Sequence, residues 1–136
     1  MSLFFGFLAF AVSRFIDFLL SIENGELPSA WVIFSAIFLA PYIETFIFQK
    51  CGFFLFEKFR LHYFIKISLI SASFSFFHFD RSFSEKVELF FVGLIFTAIY
   101  FCYKNNSKIN SFKITANTHL IYNLITIVYI YLGQPR

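Results

Sequence analysis

The chain has 136 residues, of which 59% are hydrophobic and only 14% charged, and 25 positions are phenylalanine. Such a mixture cannot cover a water-facing surface, and the mean hydropathy of +0.74 points to a protein that uses lipid as part of its solvent. The length allows one membrane domain, residues 1–136; the net charge of +3 comes with no basic run and no reader motif, so a nucleic-acid partner is not expected.

Five apolar stretches, about 3–22, 29–57, 62–82, 87–103 and 112–132, predict an all-α, polytopic bundle of about five transmembrane helices. The first lacks a basic n-region, and Arg14 and Asp17 stand where a small-residue cleavage site belongs, so it reads as a retained helix. Arg14 and Asp17 are three residues apart and can pair on one face. The second stretch follows the breaker Asn24-Gly25-Glu26-Leu27-Pro28 and contains Glu44, Thr45 and Gln49. In the third, Ser68, Ser71, Ser75 and His78 recur at helical steps and share a face. The fourth offers little polarity beyond Gly93 and Thr97. The fifth runs without a charge from Ile114 to Pro135, with Thr115, His119, Asn123 and Thr126 along one stripe.

Lysine and arginine gather in two of the loops. Lys58 and Arg60, flanked by Lys50 and Lys66, follow the second stretch, and Lys104, Lys108 and Lys113 follow the fourth. The positive-inside rule then places the N-terminus in the cytoplasm, with the chain in a bacterial cytoplasmic (inner) membrane as the compositional expectation. Cys51 and Cys102 are isolated and indicate neither a zinc site nor a disulfide framework.

An ionisable or amide side chain in hydrocarbon needs a partner or a task. Stripes on the second, third and fifth helices are expected to face one another, because acyl chains offer them no hydrogen bonds. Buried Ser, Asn and His also serve as interhelical glue, each worth about 1 kcal/mol or less. A carboxylate, two imidazoles and an amide can do more. Glu44 can take a proton from water, a histidine can share it, and a His/Asn pair can donate to a developing oxyanion. Zinc would also accept one Glu and two His, but no HExxH pair is present, so no cofactor is expected.

The same residues resemble the CPBP family of intramembrane proteases (CAAX protease and bacteriocin-processing, also called ABI). Its pattern is a Pro-containing segment with Glu-Glu followed by Arg, then Phe-x-x-x-His, then His-x-x-x-Asn. Here these stand as Ala40-Pro41-Tyr42-Ile43-Glu44-Thr45-Phe46-Ile47-Phe48-Gln49, as Phe74-Ser75-Phe76-Phe77-His78, and as His119-Leu120-Ile121-Tyr122-Asn123, within a family-like core of about 29–132. The resemblance implies a glutamate-dependent membrane protease in which Glu44 activates water, His78 assists, and His119 with Asn123 stabilises the oxyanion. Thr45 replaces the second Glu and Gln49 the Arg, so a neutral Thr45–Gln49 hydrogen bond is expected in place of the family's ion pair. Membrane lipid and a membrane protein or peptide substrate are the implied partners. The alternative is a catalytically silent family member acting as a structural subunit or adaptor beside a membrane protein partner.

Overall fold

The computed structural model describes residues 29–79 and 81–133. The first apolar stretch, with Arg14 and Asp17, lies outside the described residues. Among those described the chain is all-helical: α1 (Ala30–Glu57), α2 (Tyr63–Phe76), α3 (Phe83–Tyr103) and α4 (Ser111–Gly133).

α1 starts where the Ser29 hydroxyl accepts from the Val32 amide at 3.4 Å, satisfying a donor that the first turn leaves open. Its hydrogen-bond pattern then alternates, with π turns at Ser35–Leu39 and Thr45–Cys51 on either side of a short α segment, Ala40–Glu44. Pro41 sits in that segment without an N–H to offer the preceding turn, and π turns are one way a helix absorbs such a break.

α3 begins four residues earlier than the hydropathy pattern implies. Ser82 and Glu85 form a reciprocal capping box there, with the Ser82 amide donating to Glu85 Oε2 at 2.8 Å. Arg81 adds an ion pair to Glu85 at 2.9 Å. α2 is shorter than the expected 62–82. It stops at Phe76, and the His78 amide donates to Ser75 O at 3.2 Å in a tightened last turn. At 14 residues it spans about 21 Å, less than a hydrocarbon core of about 30 Å.

α1 and α3 are the two described helices long and apolar enough to cross a membrane. α4 has the length, but Asn117, His119 and Asn123 lower its hydropathy. Phe54, Phe64, Phe83, Phe91, Ile125 and Leu132 all point outward, as suits a surface solvated by acyl chains rather than water.

The chain forms two compact units. Of the described residues, one contains those up to Ile43 and those from His119 to Gly133, and its core is Val32, Ala36, Ile37 and Ile127, flanked by Ile33 and Leu120. The other is Glu44–Thr118. In it, α2 and α3 approach closely at Gly93, where a Cβ would lie 3.0 Å from Phe74 Cδ1 and 3.3 Å from the Ser71 Cα. Beside this contact the Ser71 and Thr97 hydroxyls hydrogen-bond at 3.3 Å, both residues fully buried. The Ser75 hydroxyl donates to Lys86 O and ties the end of α2 to the start of α3. Gly52 makes room for Ile70, and Phe53 stacks on Tyr100 with ring centroids 5.5 Å apart.

Gly93→Ala should therefore destabilise the α2–α3 pair by about 1–2 kcal/mol, since one of the crowded atoms is backbone and cannot rotate away. A thermal melt in detergent checks this. A midpoint equal to that of the parent would show that the two helices can separate without penalty.

Candidate active site

Glu44 is half-buried and closes the short α segment of α1; the second π turn begins at the next residue. Thr45 and Gln49 in that turn are 0% and 1% exposed. The expected hydrogen bond between them is not made: Thr45 Oγ1 and Gln49 Nε2 are both buried without a partner. In a π turn each N–H reaches five residues back, so residues four apart still lie about one turn from each other; both side chains are buried, but their polar ends do not come within hydrogen-bonding reach.

Phe48, one turn beyond Glu44, leads from this segment toward α2. Its ring meets Phe74 edge-on at 5.4 Å and Phe77 at 5.8 Å. Phe74 in turn holds His78. Their ring centroids are 4.9 Å apart, and His78 Nδ1 lies 2.8 Å from Phe74 O. The expectation of His78 as the last member of a helical stripe needs correction. α2 ends before it, Ser68 at the other end is exposed, and only Ser71 and Ser75 of the stripe are buried. The turn nevertheless fixes its chemistry. A carbonyl oxygen can only accept, so Nδ1 carries the proton, and the lone pair of the neutral ring is at Nε2. The tautomer is thus set by a backbone carbonyl four residues back, a group that residue types alone do not specify.

His119 and Asn123 belong to the other unit. His119 is 3% exposed, and Asn123 Nδ2 donates to Ala36 O at 2.9 Å. This bond has a specific origin. In the first π turn the Ala40 amide donates to Ser35 O, five residues back. Continuing that register, Ala36 O should accept from residue 41, which is Pro41 and has no N–H. Asn123 supplies the missing donor to a carbonyl whose residue is 3% exposed. The acceptor also settles which end of the amide faces Ala36. Sequence reasoning assigned Asn123 to an oxyanion and missed this bond. The signal was a proline inside an apolar helical run, with an asparagine elsewhere able to complete its hydrogen bonding.

Of the stripe read on the fifth stretch, Thr115 and His119 are buried on α4, while Asn123 and Thr126 are only half-buried. As to metal, no group of three or more His, Cys, Asp and Glu side chains placed to hold an ion occurs among the described residues.

Comparison with curated proteins gives no match, and comparison with solved structures gives none. A family model does match, over residues 26–125, a segment that includes Pro41, Glu44, His78, His119 and Asn123. It covers most of the chain and agrees with the apolar, all-helical architecture. On this match the chain belongs to the type II CAAX prenyl endopeptidase Rce1-like family, whose members are helical membrane proteins.

Proposed function

We propose that the protein is an intramembrane endopeptidase in which Glu44 is the general base that activates water. Membership of the family supports CAAX-type proteolysis in the membrane, and the observation that carries the reading is that the matched segment contains, in order, Glu44 of the altered first motif, His78 of the second, and His119 with Asn123 of the third. In the proposed reaction the Glu44 carboxylate takes a proton from water as the water oxygen adds to the scissile carbonyl carbon. The oxyanion of the tetrahedral intermediate accepts from His119 and from the second Nδ2 hydrogen of Asn123. His78, with its lone pair at Nε2, shares the proton. As the C–N bond breaks, that proton passes to the leaving amine, giving a free amine and a carboxyl group. No cofactor is invoked. The N-terminus is proposed to face the cytoplasm of a bacterial inner membrane. The Lys104–Glu57 ion pair supports this by tying together the basic segments that follow α1 and α3.

The substrate chemistry suggested by the family is a peptide with a prenylated cysteine near its C-terminus. The test is to reconstitute the purified protein in liposomes with such a peptide and follow the products by mass spectrometry. Cleavage C-terminal to the modified cysteine is expected. The neutral Thr45 and Gln49, where the family pattern has an ion pair, favour a second reading, a silent subunit or adaptor. No cleavage of the membrane-anchored peptide, together with full biological activity of the Glu44, His78 and His119 alanine variants, would establish that reading instead.

A further inference from the structure

Five of the helical Ser and Thr hydroxyls are closed onto their own helix. Ser35, Ser71, Ser73, Thr118 and Thr126 each donate to the carbonyl four residues back, at 2.8–2.9 Å. This is the usual resting place for a hydroxyl in an apolar helix. Thr45 and Thr115 depart from it. Both are 0% exposed, and neither Oγ1 bonds to any carbonyl or side chain. Gln49, at 1% exposure, adds an unpartnered Nε2 to the same unit. Buried polar atoms without partners are rare in folded proteins, and in hydrocarbon no stray solvent reaches them.

The three residues belong to adjoining segments. Lys50 places its Nζ 5.8 Å from the Phe112 ring centroid, which sets the second π turn of α1 beside the start of α4. Gln49 precedes Lys50 in that turn, and Thr115 lies three residues after Phe112, on the same helical face. Together the three side chains offer amide hydrogens that donate and two hydroxyls that can each donate or accept. That set complements one small ligand that both donates and accepts.

We propose that Thr45, Gln49 and Thr115 hold a buried water molecule, which stands in place of the Glu–Arg ion pair of the family pattern. The water oxygen accepts from Gln49 Nε2 and from one of the two threonine hydroxyls, and a water hydrogen goes to the Oγ1 of the other. Three hydrogen bonds are what a buried structural water typically makes. The exchange is also consistent electrostatically: losing both charges together leaves a neutral site, and a neutral molecule completes it. The water ties the π turn that begins next to Glu44 to the first turns of α4. The hydration site stands whether or not Glu44 acts as a base.

The test is nuclear magnetic resonance of isotope-labelled protein in detergent micelles, read at the Gln49 side-chain amide. Cross-relaxation peaks to the water frequency are expected, with the sign of a bound water rather than of chemical exchange. Thr115→Val should at least halve their intensity. Thr118→Val should leave them unchanged, because the Thr118 hydroxyl is already bonded to Ile114 O. The unmodified protein alone decides the matter if a variant fails to fold. An amide without water peaks but with close contacts to the Thr45 or Thr115 methyl group would overturn the proposal in favour of a direct hydrogen bond.

Discussion

Glu44→Gln is expected to lower kcat for peptide cleavage by about 10²–10⁴, the usual contribution of a positioned general base, with little change in KM. Glutamine keeps the length and volume of the side chain and its oxygen acceptor, so the short α segment between the two π turns should persist. What it loses is the capacity to take a proton from water. Glu44→Asp probes position in place of chemistry. It keeps the carboxylate but withdraws it by one methylene, and a displacement of about 1 Å at a reacting centre costs about 10² in rate. Both variants should melt near the parent temperature. Turnover by Glu44→Gln at the parental rate would remove Glu44 from the mechanism, whatever the fate of the substrate assignment.

The second large effect concerns Asn123. Asn123→Leu strips the side-chain donor at Ala36 O, and a buried carbonyl left unsatisfied costs about 1–3 kcal/mol. The substitution should therefore destabilise the unit formed by the first half of α1 and the end of α4. It should also reduce kcat if the second Nδ2 hydrogen serves the oxyanion. Stability and catalysis can be separated through Pro41. Pro41→Ala restores a backbone N–H at the position from which a π turn would serve Ala36 O. In that background Asn123→Leu should cost markedly less stability, while any loss of kcat should remain. A double-mutant cycle read by thermal unfolding and by turnover gives both numbers. Additive stabilities would mean that Pro41 and Asn123 are not connected through Ala36.

The helices themselves were legible because lipid imposes a one-letter code: apolar runs of sufficient length, punctuated by breakers. Hydropathy placed α1 and α4 to within a residue or so of each end. It failed where hydrogen bonding, not hydropathy, decides. The Ser82–Glu85 capping box extends α3 back into a polar stretch that looked like loop, and the early stop of α2 takes His78 off the helix. Helical periodicity found Thr115 and His119, the buried half of the stripe on α4, since an α-helix repeats regularly. The same counting put Thr45 and Gln49 on one buried side but misjudged their polar ends, which do not meet, and nothing in residue order announces the π turn in which they sit. The roles of His78 and Asn123 were visible only as residue types at motif spacing. That Phe74 O fixes one of them and Ala36 O occupies the other are backbone facts, and side-chain patterns do not carry them.

The brevity of α2 has a consequence for the surrounding bilayer. A helix about 9 Å shorter than the acyl layer presents a mismatch that the membrane relieves by thinning locally or by drawing the headgroup region inward. The turn that holds His78 would then meet interfacial water inside what is nominally one leaflet, while its neighbours α1 and α3 reach full depth. Acyl-chain length becomes a control variable: in vesicles of progressively longer lipids, the dent grows costlier and turnover should fall before the fold does.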